Sequence, residues 1–184
     1  MNDKPNDEQL QKFEGSLMYR SESCKGTIQD LKDSYNQLQQ AFREGSTISG
    51  EDLNRIGRMH RYVKYAVILD VAGLFDRTKG TLSLPRLAIY LQRIKHPSVK
   101  KFNFTLSDIQ RRYKKQLDVL ELNRHTVAAH AGEKQLDSLL LTTDEILSMP
   151  IHNLLKEIQN LVMETLYFDK IIAEAGTMYM DVKV

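Results

Sequence analysis

The chain of 184 residues carries 26 Lys and Arg against 24 Asp and Glu, a net charge of +2. With 41% hydrophobic residues it is too apolar for a disordered chain, and its length suits one domain. No run of about 18 apolar residues predicts a membrane span, and the polar N-terminus lacks the apolar core of a secretion signal. A single cysteine, Cys24, excludes an intramolecular disulfide and a cysteine-rich zinc site. We therefore expect a cytoplasmic protein with no membrane partner.

The charges are distributed unevenly along the chain. Residues 55–115 contain 15 basic and three acidic residues, a net charge of +12, whereas residues 1–54 and 116–184 carry net charges of −4 and −6. A basic middle of this kind favours a nucleic acid or another polyanion as partner. The alternative is that the opposite charges pair within the fold or across a dimer.

Apolar residues recur at steps of three and four and predict helices along the whole chain. The first extends from as early as Asp7 to about Arg43, where residues 44–46 (Glu-Gly-Ser) interrupt it. Ser49 is the expected N-cap of a second helix that ends near Phe75. The C-terminal part of this second helix has Asp70 as its only charge, and we expect it in the core.

Two further helix starts are predicted in the middle of the chain. Ser83 stands just before Leu84 and Pro85, and proline is tolerated in a first helical turn. Thr105 and Asp108 have the spacing of a capping box and predict a helix from about residue 107.

The end of the chain predicts a last major helix, with Pro150 as a candidate boundary between a short first turn and the long helix beyond. Thr143 is the expected cap of this last major helix, and Gly176 is its expected end. No strand alternation is sustained, so the fold class is an all-α bundle of about five helices. The expected division is an N-terminal helix or arm over 1–24, a helical domain over 25–176 and a C-terminal tail over 177–184.

Several kinds of chemistry have no sequence signal. The five histidines form no pair at i, i+4 with acidic neighbours, so we expect no metal site. No Gly-x-Ser-x-Gly nucleophile motif and no Gly-rich phosphate loop after a strand occurs. We therefore expect no cofactor.

The segment over 122–132, Leu-Asn-Arg-His-Thr-Val-Ala-Ala-His-Ala-Gly, carries the candidate chemistry. Arg124 and His130 are six residues apart, so steps of about 100° place them on different faces of a regular helix. They converge only where the helix is irregular or where a second chain completes the site. The small residues around His130 allow another helix to approach its imidazole closely.

Arg124, five residues and then His130, with a polar residue after the arginine and alanine before the histidine, resembles the signature of the HEPN superfamily (higher eukaryotes and prokaryotes nucleotide-binding). The layout over residues 25–175 is similar to its abortive-infection-related branch, with Leu-Phe-Asp over 74–76 and Ser83-Leu84 ahead of the motif. The spacing between Arg55 and His60 also fits the pattern, but we interpret that pair as part of a solvated basic surface.

The resemblance implies a metal-independent endoribonuclease, a toxin or an anti-phage effector. His130 would act as general acid or base, and Arg124 would stabilise the phosphate as negative charge builds. His125 would position or protonate the leaving oxygen. Asp70 and Asp76 are candidates for an acidic partner of Arg124, with Asp76 also readable as a simple helix-end turn residue.

The resemblance also implies partners. Members of the superfamily usually form two-fold dimers in which two motifs face each other, and an antitoxin or other regulator is expected. The basic residues Arg111, Arg112, Lys114 and Lys115 would guide RNA toward the site, or else form a solvated helix face. The competing functions are a non-catalytic HEPN-like protein that binds RNA or nucleotide or acts as a scaffold, and an unrelated helical adaptor for an acidic protein.

Overall fold

The structure, a computed structural model, describes residues 7–43, 48–78, 80–130 and 140–180, and within these ranges gives the backbone alone for 7–8, 129–130 and 166–180. All of its regular elements in these ranges are helices, which confirms the all-α class. In chain order they are α1 (Asp7–Arg43), α2 (Gly50–Gly73), α3 (Leu84–Arg93), α4 (Val99–Arg112), α5 (Lys114–His130), α6 (Thr143–Ser148) and α7 (Ile151–Met180).

The two long N-terminal helices match the sequence expectation closely. Ser49 caps α2 as predicted, because its side chain accepts a hydrogen bond from the backbone N–H of Asp52 at 3.1 Å. The end of α2 is buried, with Val67, Ile68 and Val71 fully enclosed. These residues lie against α1 in one hydrophobic core.

No break separates an N-terminal arm from the rest of the bundle. Helix α1 runs without interruption through the expected boundary between residues 24 and 25. Leu10, Phe13 and Leu17 are all buried in the same core as α2 and α7. The first half of α1 is therefore a structural part of the domain.

The predicted helix start near residue 107 is wrong. Helix α4 already begins at Val99, directly after Pro97 and Ser98, and Thr105 lies in its interior. Phe102, Leu106 and Ile109 form one buried stripe at steps of four and three, and their burial favours a helix through the position of the supposed cap. The chain breaks instead at residue 113, between α4 and α5.

The C-terminal region contains two helices, because residues 149 and 150 (Met-Pro) separate α6 from α7. The cap of α6 is Thr142, one residue before the expected Thr143, and it forms a full capping box with Glu145. Helix α7 continues past Gly176 to Met180. The break at residue 113 and the break at residues 149 and 150 raise the number of helices in the described ranges from the expected five to seven.

Two further observations concern membrane-spanning helices and the pairing of charges. No helix among the described residues is long and apolar enough to cross a membrane. Ion pairs join the basic middle of the chain to its acidic C-terminal segment, as between Arg112 and Glu157 and between Lys101 and Glu164. Opposite charges therefore pair within this fold at these positions.

Candidate functional site

Arg124 lies in the middle of α5 and contacts the turn that follows α2. Its Nη2 donates a hydrogen bond to Oδ2 of Asp76 at 2.7 Å, and the two side chains retain only 22% and 11% of their exposure. Such a charge-assisted hydrogen bond, shielded from solvent, is stronger than an exposed ion pair. The pair therefore fixes the guanidinium of Arg124 against the turn that follows α2.

Hydrogen bonds from neighbouring residues hold Asp76 in the turn after α2. Its Oδ1 accepts a hydrogen bond from the backbone N–H of Thr78 at 2.8 Å, and its carbonyl oxygen accepts one from the hydroxyl of Ser83. Burial alone would raise the pKa of this carboxyl, but the hydrogen bonds from Thr78 and the charge of Arg124 together lower it below its usual range. Asp76 is thus an ionised, well-anchored partner for Arg124.

Glu121 contacts both basic residues of the motif on α5. Its carboxylate lies 3.4 Å from Nη1 of Arg124 and 3.1 Å from Nε2 of His125. The side chain of His125 keeps 70% of its exposure, so it faces solvent beside Glu121. The structure therefore brings Arg124, Asp76, Glu121 and His125 into one cluster.

His130 is the last residue of α5, and its side chain lies outside the described part of the structure. The helix is continuous from Lys114 to His130, so positions 124 and 130 differ by about 240° around its axis. Arg124 and His130 consequently occupy different faces of the same helix within one chain. The expected interruption at Gly132 falls among residues 131–139, outside the described ranges.

A groove of about 700 Å3 lies beside this cluster. The turn after α2 forms one wall with Phe75 and Asp76, and Arg111, Lys114 and Glu121 of α4 and α5 line the other. Charges of both signs therefore border the groove, and Asp76 and Glu121, the two carboxylate partners of Arg124, are among them.

The basic run at the junction of α4 and α5 is largely neutralised. Both terminal nitrogens of Arg112 donate to the carboxylate of Glu157, and its Nε donates to Asp108 at 2.9 Å. Arg111 donates to the same Asp108 at 2.6 Å. Asp108 and Glu157 together therefore engage Arg111 and Arg112, two of the four cations that were expected to bind RNA.

The lysines of this run differ from each other. Lys114 donates to Asp118 one turn further along α5. Lys115 is exposed. Three of the four cations expected to guide RNA are thus engaged by carboxylates of the same chain, in agreement with the alternative that the charges pair within the fold.

Asp70 is not the partner of Arg124. Its Oδ2 lies 3.5 Å from the hydroxyl of Thr27 on α1, and the cation whose charge lowers its pKa is Arg20. Partial burial raises the pKa of the Asp70 carboxyl, although the charge of Arg20 and the Thr27 hydroxyl act in the opposite direction.

His60, the histidine of the second motif-like spacing, belongs to the packing of the bundle. It is 8% exposed, its Nδ1 lies 3.0 Å from the hydroxyl of Ser34, and its Nε2 lies 2.8 Å from the hydroxyl of Thr143. Its ring also stacks on Tyr35. Arg55 instead pairs with Asp52 on the surface of α2, so the two residues do not form a site together.

Two polar residues near the site escaped the sequence interpretation. Glu121 contacts both Arg124 and His125. A glutamate three residues before an arginine is an ordinary helix pattern, so nothing in the sequence distinguished it. Asn123 is buried, and its side-chain oxygen accepts the backbone N–H of Leu141 at 2.8 Å. A polar residue on the apolar stripe between Leu120 and Val127 was the available signal.

Comparison with protein-family models, with curated protein sequences and with solved structures finds no match for this chain. Among the residues that the structure describes, no group of three or more His, Cys, Asp or Glu side chains could hold a metal ion. The function is therefore inferred from the residues and their geometry.

Proposed function

We propose that this protein is a metal-independent endoribonuclease of the HEPN type, in which Arg124 binds the scissile phosphate. The observation that carries the proposal is the anchoring of Arg124 by Asp76 at 2.7 Å, beside an open groove. An arginine that is already fixed contributes electrostatic stabilisation without the cost of ordering its side chain during the reaction. With 22% of its side chain exposed, Arg124 still offers a surface to a ligand.

The proposed reaction uses the nucleophile that RNA itself carries. The 2′-hydroxyl oxygen attacks the adjacent phosphorus while His130 removes its proton as general base. The bond from phosphorus to the 5′-oxygen then breaks, and a general acid protonates the leaving oxygen. The products are a 2′,3′-cyclic phosphate and a 5′-hydroxyl. His125, exposed and paired with Glu121, is the candidate for the second proton transfer.

A two-fold dimer is part of this proposal. Positions 124 and 130 lie on different faces of α5, so a second copy is needed to place a histidine opposite the arginine of the first. The proposed setting is the cytoplasm, where the enzyme would act as a toxin or anti-phage effector on RNA, restrained by an antitoxin or another regulator.

One observation favours a non-catalytic alternative. Both terminal nitrogens of Arg124 already contact carboxylates, those of Asp76 and Glu121. A site that is satisfied in this way could bind RNA or nucleotide, or support a scaffold, without cleaving anything. Cleavage therefore requires that the phosphate compete with the weaker contact, the one to Glu121 at 3.4 Å.

Cleavage assays separate the two functions. Purified protein is incubated with tRNA and total RNA in EDTA, and the enzyme proposal predicts cleavage by the wild type. Substitution of the histidine, His130→Ala, should abolish cleavage, and Arg124→Lys, which retains a cation for Asp76, should reduce it at least tenfold. The control is Arg55→Ala, because Arg55 has the same kind of spacing to a histidine but pairs with Asp52 on the surface.

The result for each variant has a defined meaning. Size-exclusion chromatography and thermal melts establish that the variants remain folded and keep the oligomeric state of the wild type. No cleavage by the wild type, or full activity of the folded His130→Ala protein, would contradict the enzyme assignment. RNA binding without cleavage would support the non-catalytic alternative.

A further inference from the structure

The turn between α3 and α4 lies in the longest acid-free stretch of the chain. No Asp or Glu occurs between Asp76 and Asp108, whereas seven Lys and Arg residues do. Cations in this stretch therefore find carboxylate partners only on other parts of the chain, or else remain uncompensated.

Three cations at this turn belong to the second kind. Arg93 lies in the last turn of α3, Lys95 in the turn itself and Lys100 in the first turn of α4. All three are exposed, and their side chains form no ion pair or hydrogen bond within the described ranges. The neighbouring Lys101 differs, because it pairs with Glu164 of α7. The turn therefore carries a concentration of positive charge that attracts a polyanion.

One face of α4 continues from this turn. Lys100, Phe104, Ser107 and Arg111 follow one another at steps of four, three and four, and at about 100° per residue they lie within about 60° around the helix axis. All four are exposed, so no element of the described ranges covers them. We call these four residues the α4 face. It extends about 16 Å along the helix from Lys100 to Arg111.

The α4 face ends at the groove beside Asp76. Arg111 lines that groove, so the face and the groove are continuous. The groove is also lined by Arg77, an exposed cation whose side chain has no partner in the part of the chain that the structure describes. Asp76 and Glu121, which line the same groove, contact Arg124. A ligand bound along the α4 face therefore extends to the site of the proposed chemistry.

Phe104 adds an aromatic ring to the α4 face, and its side chain is 77% exposed. Cations beside an exposed ring form the combination that binds single-stranded nucleic acids, in which phosphates contact cations and bases stack on rings. Bases inside a duplex are already stacked on one another, so the ring favours a single strand. At about 3.4 Å between the phosphates of one stacked strand, the face holds about five nucleotides.

The polar residues of the α4 face disfavour a lipid surface as its ligand. A helix that lies in a membrane interface presents a large apolar face to the lipid. On α4 the ring of Phe104 instead lies between Lys100 and Ser107, and the adjacent Asn103 is exposed as well. This composition is closer to that of a nucleic-acid surface.

We infer that the α4 face, with Arg93 and Lys95 at its start, binds single-stranded RNA and leads it into the groove beside Asp76. One base stacks on Phe104. The inference rests on the proposed function for the identity of the polymer. It assigns substrate binding to cations that have no partner in the described ranges, in place of the ion-paired run at the junction of α4 and α5.

Two residues of the α4 face have matched controls on α1. Phe104→Ala removes the exposed ring, and Phe42→Ala removes a ring that is 66% exposed on α1. Lys100→Glu reverses a charge of the face, and Lys32→Glu makes the same change at an exposed lysine of α1. Phe104→Tyr retains an aromatic ring for stacking.

The experiment measures binding by fluorescence anisotropy, with a labelled single-stranded RNA of 12 nucleotides. All riboses carry 2′-O-methyl groups, so that the RNA lacks the nucleophile and stays intact. Phe104→Ala and Lys100→Glu should each weaken binding at least fivefold, whereas Phe104→Tyr, Phe42→Ala and Lys32→Glu should remain within twofold of the wild type. Lys100→Ala should lower the slope of log affinity against log salt by roughly 0.7, since one phosphate contact is lost.

A duplex of the same RNA tests the role of the ring separately. Because its bases are not available for stacking on a side chain, Phe104→Ala should leave duplex binding within twofold of the wild type. An equal loss on single strand and duplex would contradict the stacking of a base on Phe104.

Thermal melts establish that each variant is folded. No RNA binding by the wild type, or equal binding by Phe104→Ala and Phe42→Ala, would overturn the inference. Binding to vesicles that contain phosphatidylserine, without binding to RNA, would overturn it as well and would assign the α4 face to a lipid surface.

Cleavage assays on the same variants separate this inference from the proposed function. If the wild type cleaves RNA but Phe104→Ala and Lys100→Glu bind it normally, the proposed function stands and the assignment of the α4 face fails. If these variants lose binding but the wild type does not cleave RNA, the assignment of the α4 face stands and the enzyme proposal fails.

Discussion

The carboxylate of Asp76 joins two helices that are far apart in the sequence. Its Oδ2 accepts a hydrogen bond from Arg124 on α5 at 2.7 Å, while its Oδ1 accepts the backbone N–H of Thr78 at 2.8 Å. One side chain thus fixes the turn after α2 and the arginine of the motif together. Stability and the proposed chemistry depend on the same contact.

Removal of this charge should destabilise the protein. The substitution Asp76→Asn removes the closer of the two carboxylates that pair with the partly buried Arg124 and leaves only the contact to Glu121 at 3.4 Å. We expect the free energy of unfolding to fall by about 1–3 kcal/mol. Urea denaturation at pH 7 measures the change. The matched control is Asp118→Asn, since Asp118 pairs with Lys114 on the surface and its loss should cost under about 0.5 kcal/mol. Equal effects of the two substitutions would contradict the anchoring role of Asp76.

The contribution of Asp76 should also depend on pH. Because its pKa is lowered in the folded protein, the stabilisation is fully present above the pKa of the unfolded chain, about 3.9. It is lost as the pH falls through the lower folded value. The stability difference between wild type and Asp76→Asn should therefore be constant near neutral pH and shrink in acid. A difference that grows below pH 4 would be inconsistent with a lowered pKa.

The raised pKa of Asp70 predicts the opposite pH dependence of stability. Burial raises the pKa of Asp70, so its stabilising, protonated form is present below the unfolded pKa and is lost as the pH rises through the folded value. The substitution Asp70→Asn should therefore raise the melting temperature at pH 7 and have little effect near pH 3. Thermal melts at several pH values test this. A lower melting temperature at pH 7 would mean that the attraction to Arg20 outweighs the burial.

Two glycines should respond differently to alanine. A Cβ atom at Gly73 would lie 2.5 Å from Nη2 of Arg20, whose Nη1 donates to the carbonyl of Leu82 at 2.7 Å. We expect Gly73→Ala to displace that guanidinium and to cost about 0.5–1.5 kcal/mol. At Gly26, in the interior of α1, the same substitution meets no atom and should add about 0.5–1 kcal/mol. Chemical denaturation of both variants compares them, and stabilisation by both would show that Arg20 moves aside freely.

Much of the fold could be predicted from local sequence signals. The C-terminal end of α1 and the Ser49 cap of α2 follow from a breaker and a capping residue, both of which act over a few residues. The start of α4 could not be predicted in this way. There the capping-box spacing of Thr105 and Asp108 competes with the burial of Phe102, and tertiary packing decides the outcome.

The site was only partly predictable for a similar reason. Sequence spacing identifies Arg124, and a short turn motif explains why Asp76 accepts from Thr78. Whether Asp70 or Asp76 pairs with Arg124 depends on how α2 and α5 pack. Asp76 and Arg124, the pair observed, are 48 positions apart in the chain. The neutralisation of Arg112 by Glu157 likewise requires the packing of α4 on α7.

In the proposed reaction RNA supplies its own nucleophile to a site built around Arg124, without a metal. The most direct measurement is mass spectrometry of the products formed in EDTA from one RNA, compared with the same RNA carrying 2′-O-methyl groups. The proposed reaction yields products with 2′,3′-cyclic phosphate and 5′-hydroxyl ends from the first RNA, and no cleavage of the second. Cleavage of the methylated RNA, or products with 5′-phosphate and 3′-hydroxyl ends, would contradict it.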